Sequence, residues 1–151
     1  MVFIIREDMR QKYRTVLLII ALIALVMAAV FLLIDSTAPK AISELIPNAD
    51  RFDACQIICV MTDREETVTL TKDGLDRLLS QLEKQQYYKR GTYGNTMEGT
   101  VYHLYFFSQG SEAFNIYITD LGKLYIGPHY YELGPEADPE ALSSYIETLF
   151  Q

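Results

Sequence analysis

The sequence predicts an α+β domain behind a single membrane-spanning helix, and three patterns support this prediction. Residues 15–34 form a run of twenty residues without a charge. Two later segments repeat apolar residues at the spacing of an amphipathic helix, and short β-branched and aromatic runs lie between turn signals. This combination is typical of a small, mostly antiparallel sheet with two amphipathic helices on one face.

Residues 15–34 are predicted to cross the lipid bilayer. At about 1.5 Å of rise per residue, the run spans roughly the 30 Å hydrocarbon core. It is longer than the apolar part of a cleaved signal peptide, which is usually about 7 to 15 residues, so we expect an uncleaved signal anchor. No ionisable residue interrupts it, which argues against an ion path through the helix.

The charges around this segment predict its direction, because cytoplasmic flanks carry an excess of Lys and Arg. Basic residues are frequent before the segment and rare behind it: Arg6, Arg10, Lys12 and Arg14 precede it, and Lys40 follows closely. We therefore expect a single-pass protein of the cell membrane. Its N-terminus would be cytoplasmic and its C-terminal domain extracytoplasmic.

The chain is predicted to divide into four parts. They are a cytoplasmic tail at residues 1–14, the signal anchor at 15–34, a juxtamembrane stalk at 35–52, and an extracytoplasmic α+β domain at 53–151. The tail is too short to fold on its own. Within the stalk, residues 39–46 are expected to form a short helix that Pro47 ends.

The part of the chain behind the anchor is acidic. From Asp35 onward it contains nine Lys and Arg against eighteen Asp and Glu. This balance argues against nucleic acid or an anionic lipid surface as a partner and suits either solubility or cationic partners. The chain is expected to contact the bilayer through residues 15–34.

The spanning helix carries small residues on one side. Ala21, Ala24 and Ala28 share a face at spacings of three and four, so a second helix could approach closely there. These residues are a candidate seam for a homodimer. The alternative is that they face lipid, since alanine is common in spanning helices.

The first half of the domain is predicted to contain a hairpin and a helix. The hairpin strands are predicted at residues 54–61 and 67–70, joined by a polar turn at 62–66. Thr71 is expected to cap a helix over 72–86. Its apolar residues follow the spacing of one buried helix face: Leu75, Leu78, Leu79 and Leu82.

The second half is predicted to supply further strands and the last helix. The strands are expected at residues 87–90, 100–107, 113–119 and 123–126, with a short edge piece at 130–133. A glycine-rich loop at 91–99 precedes the second of these. Gly122 is expected in the left-handed position of a three-residue hairpin loop. Asp138 and Pro139 mark the start of a helix whose apolar face is Leu142, Tyr145, Ile146 and Leu149.

The face that the helices leave open depends on the register of strand 100–107. A plain turn at residues 108–111 would bury the set Val101, His103, Tyr105 and Phe107. A bulge near Gly110 would instead bury the more apolar set Tyr102, Leu104 and Phe106, and we favour this register. The outward face then carries His103, Tyr105, Asn115, Tyr117 and Tyr125.

This outward face is the candidate binding face for a protein, peptide or glycan. Tyrosine offers rigid apolar area with a polar tip, which suits recognition. The alternative is a purely structural aromatic ladder, since tyrosine is a preferred strand residue and cross-strand aromatic pairs stabilise sheets by about 0.2 to 1 kcal/mol.

Cys55 and Cys59 are predicted to be buried thiols facing the core. On a strand they share a face but lie about 13 Å apart at roughly 3.3 Å per residue, and a disulfide requires Cα atoms within about 7 Å. Bridging to another chain or metal binding remains open. A zinc site with His103 and His129 would lack the short-spaced ligand pairs of zinc modules, so no metal or other cofactor is predicted.

The sequence contains no motif that sets up catalysis. It has no GxSxG elbow, no phosphate-binding glycine loop and no zinc-protease helix. We therefore expect a membrane-anchored extracytoplasmic binding or accessory domain rather than an enzyme. The alternatives are a membrane-tethered hydrolase and a purely structural subunit of a membrane complex.

Overall fold

The computed structural model of the protein describes residues 2–61, 65–92, 94 and 97–151. The chain divides after Ala38 into two compact units, of which the second is Pro39–Gln151. The predicted polar turn and the glycine-rich loop fall partly outside the described residues.

The first unit is a single long helix. Helix α1 is Val2–Thr37, so it continues through the segment that was predicted as a separate tail. It contains the stretch Lys12–Ile34, which is long and apolar enough to cross a membrane. The most apolar 18 residues of this stretch have a mean hydropathy of 3.4, and none of them is buried. The helix ends where Pro39 disfavours helical geometry in the residue before it.

The second unit is an α+β domain, as predicted. Among the described residues, seven antiparallel strands form one sheet in the order β2-β1-β4-β5-β6-β7-β3. The strands are β1 Ala54–Val60, β2 Glu65–Leu70, β3 Tyr87–Thr92, β4 Val101–Ser108, β5 Ser111–Thr119, β6 Lys123–Ile126 and β7 His129–Leu133. The helices are α2 Ile42–Leu45, α3 Lys72–Glu83 and α4 Pro139–Thr148, with a 3-10 turn at Ala49–Arg51.

The position of β3 corrects one prediction. Residues 130–133 were expected at a sheet edge, but β7 pairs with β6 on one side and with β3 on the other. The reason is that α3 carries the chain from β2, at one edge, to β3, at the opposite edge.

The core lies between one sheet face and the helices. Helix α3 buries Leu75, Leu78 and Leu82 there, and α4 buries Leu142 and Ile146. The sheet contributes the alternate residues of its central strands: Cys55, Ile57, Cys59, Tyr102, Leu104, Phe106, Ile116, Ile118 and Leu124. Both helices therefore cover the same face of the sheet.

The segment predicted as a stalk belongs in large part to this unit, which begins at Pro39 rather than at Asp53. Ile42, Ile46 and Phe52 are buried in the core. Lys40 and Tyr87 exchange two backbone hydrogen bonds, of 2.8 and 3.0 Å. The apolar residues of 39–52 therefore line the core.

The favoured register of β4 is confirmed. His103 lies opposite Tyr117 and Tyr105 opposite Asn115, and the register shifts between Phe106 and Phe107. The irregularity therefore lies in the strand pair beside the turn at Gly110. It puts the more apolar alternate residues of β4 in the core.

The predicted turn and cap around the last strands are also confirmed. Gly122 has a φ of 75°, and a Cβ there would lie 3.0 Å from Leu133 Cδ1. Asp138 accepts a hydrogen bond of 3.1 Å from the Ala141 amide. Thr71 occupies the N-cap position of α3 but makes no side-chain cap hydrogen bond.

Candidate binding face

Strands β4 and β5 place four predicted residues together on the sheet face opposite α3 and α4. We call this patch the open face and define it as His103, Tyr105, Asn115 and Tyr117. Their strand neighbours Tyr102, Leu104, Ile116 and Ile118 point into the core. The alternation of side chains along each strand therefore directs the four away from the helices.

Three rings of the open face form a stack. The His103 ring centroid lies 3.8 Å from that of Tyr105 at an interplanar angle of 37°. On its other side it lies 3.9 Å from that of Tyr117 at 24°. Because the imidazole is held between two phenol rings on two paired strands, the stack is a rigid apolar element with polar tips.

Polar groups surround the stack at one end. Asn115 Nδ2 donates a 2.9 Å hydrogen bond to Glu112 Oε1. Desolvation lowers the pKa of His103, and the Asn115 amide and the Glu112 carboxylate partly offset this effect. Desolvation raises the pKa of Tyr105, with smaller contributions from Tyr117, Glu112 and Glu65. Among the described residues, the buried His103 Nε2 has no hydrogen-bond partner.

Tyr125 lies on the predicted face, but it is only 6% exposed. It pairs with Tyr117 on one side and packs against Tyr130 on the other, with ring centroids 6.0 Å apart. Tyr125 therefore joins Tyr117 and Tyr130 in a row of aromatic side chains across β5, β6 and β7, and it offers little accessible area.

Sequence reasoning missed Tyr130, which extends the aromatic row onto β7. Its pairing with Tyr125 follows from the tight connection in which Ile126 lies opposite His129. The signal was the dipeptide Gly127-Pro128, a turn former between two tyrosine-containing runs. Assigning a hairpin there would have placed the two tyrosines opposite each other.

Charged side chains of β3, β6 and β7 form ion pairs near the aromatic row. Arg90 forms an ion pair of 2.9 Å with Glu132 and lies 5.9 Å from the centre of the Tyr88 ring. Lys123 forms a pair of 3.3 Å with Glu98. Such exposed pairs contribute little stability, so their main effect is to make this end of the sheet polar.

The two cysteines lie on the other side of the sheet, as predicted. Cys55 and Cys59 are both buried in the core, and burial raises the pKa of the Cys55 thiol to about 12. His103 belongs to the open face, so the sheet separates it from both thiols. Within the part of the chain that the structure describes, no group of three His, Cys, Asp or Glu side chains is placed to hold a metal ion.

A cleft of ≈ 390 Å³ lies where the end of α3 meets the connection between β7 and α4. Its described lining is polar and contains no histidine, cysteine or serine: Lys84, Gln85, Gln86, Tyr88, Gly134, Pro135, Glu136 and Ala137. Gly134 N donates a 2.9 Å hydrogen bond to Gln86 O and so joins the two walls.

The alanines of the candidate dimer seam are exposed on α1. Ala21, Ala24 and Ala28 therefore stay a prediction, as does a homodimer formed through them.

Comparison of the chain with protein-family models, with curated proteins and with solved structures gave no match to any of them.

Proposed function

We propose that this chain is a membrane-anchored binding or accessory domain that presents its open face to a protein or peptide partner outside the cytoplasm. Helix α1 holds it in the bilayer, and the unit Pro39–Gln151 provides the recognition surface. The observation that carries this proposal is the three-ring stack of Tyr105, His103 and Tyr117 on a sheet face opposite the helices.

Rigid aromatic groups suit recognition because they contribute contact area at a low entropic cost. Tyrosine is enriched among the residues that dominate binding energy at protein interfaces. Ordering a flexible side chain on binding costs about 0.5 to 1.5 kcal/mol. Rings already fixed by mutual stacking avoid most of that cost, and their hydroxyl tips with Asn115 supply hydrogen-bonding groups at the rim.

The anchoring role rests on the exposed apolar surface of α1. Its large apolar side chains from Val16 to Ile34 are each 46% to 72% exposed. Contiguous apolar surface of this extent is unfavourable in water and is typical of a segment that contacts lipid. The basic residues before it favour a cytoplasmic N-terminus.

Anchoring gives a modest binding surface a functional advantage. A domain held at the membrane meets membrane or envelope partners at a raised effective concentration, so a weak contact suffices. The acidic balance of the unit favours partners with a basic contact surface.

The rival function is a membrane-tethered hydrolase. Catalysis of that class uses a nucleophile within hydrogen-bonding reach of a base, facing a concave site. The cleft beside α3 lacks these residue types in its described lining, and the two thiols are in the core. The arrangement of side chains therefore favours binding over hydrolysis.

The proposal is tested by photo-crosslinking in native membranes. A photoreactive phenylalanine analogue replaces Tyr105 in the full-length chain, and crosslinked adducts are separated by mass. We expect a discrete adduct that is lost when Tyr117→Ala is added, because that substitution removes one side of the ring stack.

The matched control carries the same photoreactive residue in place of Tyr88, which is on β3 at the far end of the sheet order. It should not yield the same adduct. An identical adduct pattern from both positions, unaffected by Tyr117→Ala, would show that the open face does not select a partner. Turnover of ester or peptide substrates by the wild-type chain would favour the hydrolase instead.

A further inference from the structure

We propose that the free edge of β2 is a second docking site, which binds an extended basic peptide segment of a partner protein as an added strand. This site lies on β2, whereas the ring stack lies on β4 and β5, and it does not depend on a partner bound to the stack. Pairing of a peptide with a sheet edge uses main-chain hydrogen bonds for affinity and alternate side chains for specificity.

The two edges of the sheet differ. At β3, the segment before α2 pairs with the edge through Lys40 and Tyr87, and the pairing with β7 is irregular between Lys89 and Gly91. A covering segment and a bulge are both devices that block edge-to-edge association. The edge at β3 is therefore protected.

The edge at β2 has neither device. Its six residues pair with β1 in continuous register, from Cys55 opposite Leu70 to Val60 opposite Glu65. No proline or glycine occurs in the strand. Among the described residues, no strand pairs with its outer side. An antiparallel strand pairing on one side only leaves alternate N–H and C=O groups directed outwards.

A groove beside β2 provides a place for one apolar side chain. It is lined by Glu66, Thr67 and Val68 on the strand and by Leu149, Phe150 and Gln151 beyond α4, with a volume of ≈ 390 Å³. Val68, Leu149 and Phe150 are half-buried parts of the core's margin. A side chain of an added strand opposite Val68 would enter this groove.

The negative charge at the start of β2 favours a basic peptide. Glu65 is exposed on the open side of the sheet, and Glu66 lines the groove on the other. An added strand therefore meets the exposed Glu65 carboxylate at this end. Lysine or arginine opposite Glu65 is attracted to that carboxylate, and the acidic balance of the whole unit favours the same partner.

The test uses a fluorescein-labelled hexapeptide, Val-Thr-Val-Thr-Lys-Lys, and the full-length chain in detergent micelles. In an antiparallel arrangement its lysines lie opposite Glu66 and Glu65, and a valine lies opposite Val68. Binding is measured by fluorescence anisotropy. We expect saturable binding by this peptide and none by the matched peptide that ends in two glutamates.

Backbone methylation of the peptide separates strand addition from simple charge attraction. Methyl groups are placed on the amides of residues one, three and five in one peptide, and of two, four and six in another. Since only one alternate set faces β2, we expect one peptide to lose at least about tenfold in affinity and the other to bind nearly unchanged. Equal binding by both would overturn the proposal.

Substitutions in the protein provide the second arm. Glu65→Lys is expected to weaken binding by about three- to tenfold. The control Glu136→Lys changes another exposed carboxylate, at the connection after β7, and it should leave the affinity unchanged. Equal effects of the two substitutions would show nonspecific attraction and would also overturn the proposal.

A second copy of the chain is the competing occupant. It would appear as a concentration-dependent dimer whose β2 amides are protected from hydrogen exchange without peptide. If that dimer forms and excludes the hexapeptide, the peptide-docking proposal fails. A monomer whose β2 amides exchange slowly only with the hexapeptide supports it.

Discussion

At the scale of single residues, His103 is the most constrained group on the open face. Its ring is held between two phenols, and its Nε2 is buried without a partner among the described residues. A charged imidazole there would lose hydration that the phenol rings do not replace, which is why the pKa is lowered. The stack therefore favours neutral histidine.

The first prediction concerns pH. Because the pKa of His103 in the folded protein is below its ordinary value of 6.5, the unfolded chain takes up this proton first as the pH falls. The stability that neutral His103 contributes is present above pH 6.5 and is lost as the pH falls through the lowered pKa. When the pH is lowered from 7.5 to 5, the melting temperature should fall less for His103→Gln than for the wild type.

An NMR titration of the His103 ring supplies the direct measurement. A midpoint at or above 6.5 would contradict the prediction, because the stack would then stabilise the charged form.

The second prediction concerns Cys55, whose thiol is fully buried and has a pKa of about 12. The thiolate is the reactive form, so iodoacetamide at pH 8 should leave the native chain unlabelled while it labels the denatured chain at both cysteines. Mass spectrometry after timed quenching measures this. Labelling of the native chain at the rate of the denatured one would mean that β1 opens to solvent.

At the scale of elements, the sequence predicted correctly those helices and strands whose boundaries depend on their own residues. The start of α4 is the clearest case, since Asp138, Pro139 and the apolar spacing behind them all indicated the same boundary. The register of β4 was also predictable, because only one of its two alternate sets is apolar enough for the core.

The third prediction concerns this boundary. Asp138→Ala removes the acceptor for the Ala141 amide and should lower the free energy of unfolding by about 0.5 to 2 kcal/mol. Asp138→Asn keeps an acceptor at the same place and serves as the control, with a smaller loss expected. Urea unfolding followed by circular dichroism compares the two, and equal losses would mean that the cap does not hold the helix.

Elements that depend on distant partners were harder to predict. Nothing within the run Tyr87–Thr92 indicates that α3 carries it across to the far edge. The burial of Ile42 and Ile46 depends on α3 and on the bridge at Lys40. The local sequence contains neither contact, so the segment was predicted as a stalk. The burial of Tyr125 required knowing that Tyr130 packs beside it.

At the scale of the whole molecule, the chain joins two units whose surfaces differ in polarity. The stretch Lys12–Ile34 exposes apolar side chains that contact with lipid would satisfy. The unit Pro39–Gln151 buries its own core and carries most of the acidic residues. For a chain anchored by α1 as we propose, the direction of crossing decides which partners the open face and the edge of β2 can meet.

The last prediction is this direction. With a cleavable epitope tag after Gln151, a site-specific protease added outside intact cells should remove the tag, because the basic residues in the first part of α1 favour retention of that end in the cytoplasm. Neutralising Arg6, Arg10, Lys12 and Arg14 together removes that bias and should leave part of the tag protected. The same substitutions with two lysines added before residue 15 should restore cleavage. Complete protection of the wild-type tag, relieved only by permeabilising the membrane, would reverse the orientation and restrict both surfaces to cytoplasmic partners.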